Sequence, residues 1–304
     1  MTALVVDPDG LYLDGTFGRG GHSRAILACL GAAGRLIALD RDPDAVAAAR
    51  SLADSDPRFS ILRGRFGALG EILGQAGAHC HLSGILLDLG VSSPQLDSAH
   101  RGFSFGAEGP LDMRMDPSTG KSAAQWLADA EQSEIVAVLR DLGEERFARR
   151  ISRAIVERRD SGELVTTSQL ADLVARAVPT REPGKHPATR TFQALRIQVN
   201  DELNEIHQCL DQVSNLLSVA GRLVVISFHS LEDRIVKRFI RQEARGPVFP
   251  KGVPVQATET HGRLRPIGKP VRPSPEELTS NPRARSAIMR VAERLAPSGV
   301  EGLQ

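Results

Sequence analysis

A glycine-rich junction between an apolar run and a helix carries the clearest chemical signal in this sequence. Residues 11–23 read Leu-Tyr-Leu-Asp-Gly-Thr-Phe-Gly-Arg-Gly-Gly-His-Ser. Glycine lets the backbone adopt positive φ and approach a ligand closely, and the free N–H groups of the following helix face that ligand. A second apolar run ends in Asp40, where a β-α-β unit places a carboxylate against ribose hydroxyls. Gly20, Gly21 and Asp40 therefore predict a site for a nucleoside-bearing cofactor.

Two departures from the dinucleotide pattern indicate which cofactor this is. Ser23 stands where the third glycine of G-x-G-x-x-G belongs, and Asp14 at the strand end would repel a pyrophosphate. A cofactor that carries a cation and no phosphate tolerates that acid, so S-adenosylmethionine fits. On this stretch alone, a dinucleotide site and an ordinary glycine-rich turn without a ligand remain the alternatives.

Asp88 opens the second candidate segment, Asp88-Leu-Gly-Val-Ser-Ser-Pro-Gln95, which follows the fourth predicted strand. Open parallel sheets bind ligands at the carboxyl ends of their strands, close to the point where strand order reverses. A carboxylate there would accept a hydrogen bond from an attacking amino group. Turn formation by Gly, Ser and Pro is the alternative explanation of the same residues.

The elements that must position these residues alternate along the chain. The pattern predicts a mostly parallel α/β sheet with right-handed crossovers, interrupted by helices from about 105 to 203. We therefore predict a Rossmann-like core at 1–104 and 205–304 and an inserted all-helical domain at 105–204. Strands are expected at 11–17, 35–40, 59–64, 83–89, 222–228 and 286–292, and helices in the core at 22–30, 43–54, 67–76, 205–219 and 231–245.

Composition restricts the environment and the available chemistry. The chain has 304 residues. It has neither an apolar run long enough to span a membrane nor the pattern of a signal peptide, so we expect a cytoplasmic protein. Its three cysteines are scattered, without a C-x-x-C pair. His79, Cys80 and His81 are residue types that bind metals, but as adjacent residues they cannot all direct their side chains at one ion. The sequence therefore predicts no metal.

The net charge of +1 conceals two basic helix faces. A helix expected at about 144–159 carries its arginines opposite an apolar stripe that includes Ile151 and Ile155, and the helix at 231–245 repeats the design. A solvated face is the ordinary explanation of one such pattern, whereas two of them also suit phosphate binding. The basic positions are Arg146, Arg149, Arg150, Arg153, Arg234, Lys237, Arg238, Arg241 and Arg245.

The segments 14–22 and 88–95 described above, together with seven other blocks, resemble those of the bacterial 16S rRNA cytosine-N4 methyltransferase family. The resemblance runs from about residue 10 to 294 and implies a class I methyltransferase core with an inserted helical domain. It implies S-adenosylmethionine as methyl donor and a cytidine in the decoding region of 16S rRNA, in the small ribosomal subunit, as acceptor. The blocks are 14–22, 40–43, 88–95, 101–105, 109–116, 143–147, 185–193, 227–237 and 281–286.

The resemblance also implies cofactor contacts, namely Gly20, Gly21, His22, Asp40, Phe66 beside the adenine, Asp88 and Gln95. Of these, His22, Phe66 and Gln95 rest on the resemblance alone. Two features depart from the family pattern. A longer segment usually precedes the first strand and covers the cofactor, so we expect a less covered pocket here, and Gln198 stands where an aromatic residue is common.

For the chemistry, we hypothesise that Asp88 and the backbone around Ser93 orient the cytosine amino group, the rival being that Asp88 serves cofactor binding only. His229, past the end of a strand on the same rim, and Asp233 nearby are candidates for contact with the nucleotide, although a lone histidine is more often structural. Phe103 and Phe105 would stack on a splayed-out base or else attach their loop to the core. Lys185, His186, Arg190, Arg149 and Arg153 are predicted to contact the RNA backbone.

Two other classes of function remain open at this point. DNA amino-methyltransferases usually carry Asp/Ser-Pro-Pro-aromatic after the fourth strand, which Ser93-Pro94-Gln95 lacks. A non-enzymatic RNA-binding or ribosome-assembly factor that retains the fold is the other alternative. The sequence leaves the oligomeric state undecided between a monomer and a homodimer.

Overall fold

The computed structural model describes residues 1–77, 81–160, 162–180, 184, 186–246 and 261–297. The chain divides into two compact units, Met1–Gly90 with Leu203–Gln304, and Val91–Glu202. The second unit begins at Val91, earlier than the boundary at residue 105 that the sequence suggested. The reason is packing, because Phe103, which precedes that boundary, is buried in the core of the helical unit together with Leu111 and Met113.

One sheet organises the first unit. Within the described residues its strands are β1 (Leu11–Asp14), β2 (Arg35–Asp40), β3 (Phe59–Arg63), β4 (Leu82–Asp88), β5 (Leu217–Ser227), β6 (Leu264–Pro266) and β7 (Ile288–Arg294). Their order is β3-β2-β1-β4-β5-β7-β6. The first five strands run parallel, and β7 pairs antiparallel with both β5 and β6. The sheet is therefore mostly parallel and Rossmann-like, with its strand order reversing beside β1.

The helices alternate with these strands in the first unit and follow one another in the second. In the described part of the chain they are α1 (Gly21–Leu27), α2 (Pro43–Ser55), α3 (Leu69–Gln75), α4 (Ser93–Asp97), α5 (Ala123–Asp129), α6 (Gln132–Asp141), α7 (Ala148–Asp160), α8 (Thr167–Ala177), α9 (Thr189–Asn200), α10 (Glu202–Leu216), α11 (Ser230–Arg245) and α12 (Pro275–Ser280). None of the helices in the described ranges is long and apolar enough to cross a membrane.

Both faces of the sheet are buried, and successive side chains of a strand enter opposite cores. Tyr12 belongs to one apolar cluster and Leu13 to the other, and Leu36 and Leu39 of β2 are divided in the same way. This two-residue alternation follows from the pleat of a strand. Burial on both faces holds the carboxyl ends of β1, β2 and β4 at fixed positions.

The helical unit has its own apolar core, built from residues of α5 to α9 and the segment before them. Capping boxes fix the starts of α5 and α8, where Ser122 pairs with Gln125 and Thr166 with Gln169. In α7, Ile151 and Ile155 are fully buried. A unit with this much internal burial supports an independent all-helical insert.

Several element boundaries differ from the sequence predictions. The strand expected at 11–17 ends at Asp14, and a Cβ at the following Gly15 would lie 2.6 Å from Leu87 Cδ2 on the neighbouring strand. The helix expected from residue 144 begins at Ala148, after Glu144 at a φ of 50°. Strand β5 begins at Leu217, within the helix expected at 205–219, and the short β6 was not predicted.

Candidate functional site

The glycine loop between β1 and α1 is shaped by positive backbone torsions. Gly18 and Gly20 have φ values of 55° and 73°, in the left-handed region that favours glycine. A Cβ at Gly20 would also lie 2.6 Å from Cζ of Phe17, whereas a Cβ at Gly21 would meet no heavy atom within 4 Å. Gly20 therefore closes the loop, and Gly21 borders open space.

Asp14 supports this loop from beneath. Its carboxyl group is fully buried, accepting hydrogen bonds from Ser23 Oγ at 2.7 Å and from the Thr16 amide at 3.2 Å. Burial raises the pKa of Asp14 above its ordinary value.

Asp40 ends β2 and is bonded to the same loop. Its Oδ2 accepts from the Gly18 amide at 2.8 Å and its Oδ1 from the Asp42 amide at 2.9 Å. Burial raises the pKa of this carboxyl to about 6. Each carboxylate oxygen can accept a further bond, so Asp40 can receive the two hydroxyls of a ribose.

His22 and Asp88 join α1 to the end of β4. His22 Nε2 lies 3.3 Å from Asp88 Oδ2, and the Asp88 amide donates to Thr16 Oγ1 at 2.7 Å. The hydrogen bond to Asp88 raises the pKa of His22 above its ordinary value, which favours the protonated imidazole. Three adjacent parallel strands thus bring the glycine loop, Asp40 and Asp88 to one edge of the sheet.

The second oxygen of Asp88 identifies where a ligand would bind. Asp88 Oδ1 is buried and accepts no hydrogen bond from any described residue. A buried acceptor without a partner is costly unless a ligand or water supplies the donor. Open space at Gly21 and the acceptor oxygens of Asp40 suit a cofactor that carries a ribose, and Asp88 Oδ1 remains as an acceptor for an amino group beside that cofactor. The residues present therefore fit S-adenosylmethionine.

The remaining predicted residues of this unit have structural partners. Phe66 is half-buried at the start of a short 3-10 helix after β3, and its Cβ lies close to Gly15. His229 is the N-cap of α11, with Nδ1 accepting from the Glu232 amide at 3.5 Å. Asp233 receives two hydrogen bonds from Arg290, at 2.7 and 2.9 Å. Their roles toward a nucleotide stay predictions.

The other predicted residues belong to the helical unit. Ser93 begins α4, and Gln95 is buried and accepts through Oε1 from the Ser92 amide at 2.9 Å. Phe103 is buried, which favours the alternative that it attaches its loop to the core. Phe105 lies 4.6 Å from the His186 ring and 4.9 Å from the Phe192 ring, between centroids.

Three arginines and one lysine complete the set predicted to contact RNA. Arg190 Nη1 donates to the Glu144 carbonyl at 3.3 Å. Arg149 and Arg153 are exposed on α7, on the face opposite its buried isoleucines. Lys185 lies outside the described residues, as do His79 and Cys80 of the 79–81 cluster considered above as a metal site.

Two further residues of the site were not predicted from the sequence. Thr16 holds the Asp88 amide, and Ser23 holds Asp14. Both residues lie within the glycine segment, two and nine positions after Asp14. Their hydroxyl groups so close to the strand-end acid were the sequence signal that could have identified them. The β1–β4 pairing shows why the Thr16 hydroxyl is needed, because it brings the Asp88 amide beside that residue.

The sheet order, the glycine loop and the acids at neighbouring strand ends define a class I methyltransferase fold. The chain belongs to the MraW methylase family, whose model matches residues 1–295. It is 59% identical over 297 residues to the ribosomal RNA small subunit methyltransferase H of Thioalkalivibrio sulfidiphilus (strain HL-EbGR7), covering 97% of this chain and 95% of that protein.

Solved structures also resemble this chain. An rRNA methylase from Streptococcus thermophilus is similar at a TM-score of 0.42 and 11% identity, covering 97% of this chain and 92% of that one. TrmN from Thermus thermophilus is similar at a TM-score of 0.41 and 12% identity, covering 95% of this chain and 45% of that one.

Proposed function

We propose that this protein transfers a methyl group from S-adenosylmethionine to the exocyclic N4 of a cytidine in 16S rRNA of the small ribosomal subunit. The observation that carries the proposal is Asp88, whose Oδ2 is paired with His22 while Oδ1 is buried without a described partner. The family and the highly identical small-subunit rRNA methyltransferase support the acceptor.

The donor is held by the edge of the sheet. The Gly20–Gly21 loop leaves room for close approach, Asp40 accepts the ribose hydroxyls, and Phe66 lies beside the adenine. When bound, S-adenosylmethionine supplies an electrophilic methyl group on a sulfonium. His22 acts as a positioning residue, since it orients the Asp88 carboxylate.

Asp88 is the group best placed to act on the acceptor. The N4 amino group of cytosine is a poor nucleophile because its lone pair is delocalised into the ring. Holding it in line with the methyl group supplies up to about 7–11 kcal/mol in favourable cases. Asp88 Oδ1 accepts a hydrogen bond from that amino group. This lowers the free energy needed to remove the proton that N4 loses when it gains the methyl group. A correctly placed acceptor contributes about 10²–10⁴-fold.

Nucleoside analysis tests the proposal. The protein is incubated with labelled S-adenosylmethionine and 30S subunits that lack the modification, and the rRNA is digested to nucleosides. We expect the label in N4-methylcytidine, with none incorporated into 30S subunits that already carry the methyl group. Label in another nucleoside would contradict the acceptor atom. Donor binding without any transfer to 30S or naked 16S rRNA would favour the assembly-factor alternative.

A further inference from the structure

A basic groove lies in the first unit, away from the ends of the parallel strands. One wall is α11, the other is the turn that follows β6, and the cavity has a volume of about 410 Å³. Its floor is apolar and includes Ile240, Ile267 and Val291. Ligand pockets of proteins typically enclose about 300–1,000 Å³, so the groove is large enough for a small organic group.

The charge of the groove has one sign. Lys237, Arg241 and Arg245 follow one another at four-residue intervals on α11, and Lys269 faces them from the turn. All four are exposed, and no described carboxylate pairs with any of them. The acids nearby are already engaged, because Asp233 binds Arg290 and Glu243 binds Arg263. The groove therefore has four cations available to a polyanion.

We propose that this groove binds a single-stranded segment of the acceptor RNA, with phosphates on the four cations and one base or ribose on the apolar floor. This inference rests on the proposed function, since it takes rRNA as the acceptor. Cations on α11 repeat about every 6 Å along the helix axis, which suits a chain with regularly spaced charges. Phosphate contacts of this kind fix register and orientation rather than sequence.

The groove is an anchoring subsite and not part of the chemistry. Helix α11 begins after β5, at the edge that bears Asp88, because β4 and β5 are parallel neighbours. Lys237 lies about 10 Å and Arg245 about 22 Å along the helix from its first residue. The bound RNA segment would therefore lie several nucleotides from the methylated cytidine.

Charge reversal on one helix provides a matched test. Arg241 lines the groove, whereas Arg238 is exposed on the same helix outside it. Binding of a labelled single-stranded oligoribonucleotide with the acceptor sequence is measured against salt for Arg241→Glu and Arg238→Glu, in a background of Asp88→Asn without methyl donor. We expect Arg241→Glu to weaken binding at least tenfold more than Arg238→Glu and to flatten the log–log salt slope by about 0.7 for each phosphate that is no longer neutralised. Equal effects of the two substitutions would overturn the proposal that the groove binds RNA. The general positive potential of α11 would then be enough to explain the binding.

A variant that fills the groove without changing its charge tests whether the shape of the groove matters for RNA binding. Ala244 lines the cavity on α11 and is half-exposed, so Ala244→Trp occupies the space while every cation stays in place. We expect weaker oligoribonucleotide binding with an unchanged melting temperature, and unchanged binding would overturn the inference. Displacement of the RNA by polyglutamate as effectively as by unlabelled RNA would also overturn it, since an acidic peptide would then be the better ligand.

Failure of this inference and failure of the proposed function are distinguishable. These binding measurements need no methyl transfer. The nucleoside product is instead determined on the wild-type protein. A wrong product with intact groove effects would contradict the function alone.

Discussion

His22 Nε2 and Asp88 Oδ2 lie 3.3 Å apart, so one hydrogen bond connects the first turn of α1 to the end of β4. The pairing orients the carboxylate and leaves its other oxygen, which is buried, directed at no described donor. The two oxygens therefore have different tasks, one holding the carboxylate in place and the other accepting from a ligand.

Asp88→Asn should lower the single-turnover rate of methyl transfer by about 10²–10⁴-fold, because an amide is a much weaker acceptor for the amino proton. Affinity for S-adenosylmethionine is measured in parallel by calorimetry. Asp129→Asn, at an exposed surface pair with Lys121, serves as the control and should leave both quantities unchanged. Lost affinity with an unchanged single-turnover rate would restrict Asp88 to cofactor binding.

The His22–Asp88 pair should make stability depend on pH. Since the pKa of His22 is raised above 6.5 in the folded protein, its stabilisation is fully present below pH 6.5 and is lost as pH rises through the raised value. NMR titration should show a higher His22 pKa in the wild type than in Asp88→Asn. Across the same range, the melting-temperature difference between wild type and His22→Gln should shrink with rising pH. A constant difference would contradict the pairing.

Asp40 should give cofactor affinity a step near pH 6. Its pKa is raised to about 6 by burial, and the ionised carboxylate is the better acceptor for ribose hydroxyls. Affinity for S-adenosylmethionine should therefore rise as pH passes through that value. Asp40→Asn should remove the step and His22→Gln should retain it. The same raised pKa predicts that the contribution of Asp40 to folding stability is greatest below 3.8 and falls as pH rises through about 6.

Gly20 and Gly21 should respond differently to alanine. Gly20→Ala places a side chain at a φ of 73° and against Phe17, so unfolding free energy should fall by at least about 1–2 kcal/mol. Gly21→Ala meets nothing within 4 Å and should keep or slightly raise stability. It should nevertheless weaken donor binding, because the methyl group enters the space that the donor uses. Denaturant unfolding and calorimetry check both variants, and unimpaired donor binding by Gly21→Ala would place the donor elsewhere.

The basic face of α7 tests RNA binding by the helical unit. Arg149→Glu combined with Arg153→Glu should weaken binding of 16S rRNA and reduce the log–log salt slope by about 0.7 for each phosphate that the two arginines had neutralised. Arg140→Glu, on the exposed part of α6, is the matched control because that arginine already binds Asp141. An unchanged slope in the double variant would show that α7 carries an ordinary solvated face.

Local signals made much of the fold predictable. Asp42 and Pro43 predict the start of α2, and the Asp42 side chain does cap the Asp44 amide at 3.0 Å. The start of β5 was less predictable, since apolar residues continue from α10 through Leu217 and helical and strand patterns overlap there. Strand β6 has only three residues and ends in Pro266. Its pairing with β7 is a tertiary contact without a local pattern.

The position of the candidate site was predictable for those residues that lie at strand ends. Gly20, Gly21, Asp40 and Asp88 follow from the alternation of strands and helices, because parallel strands bring their carboxyl ends to one edge. The burial of Asp14 and the hydroxyl of Thr16 as an acceptor depend on which strands are neighbours. Sequence periodicity does not determine that order, so these partners emerged only from the structure.

The whole helical unit, Val91–Glu202, separates β4 from its neighbour β5 in the chain. During translation from the amino end, β4 must wait as an unpaired edge until all of that unit and α10 have been synthesised. Unpaired edges invite pairing with other chains. The nascent protein therefore exposes this edge to other chains throughout the interval, when Leu86 still lacks its partner Val224.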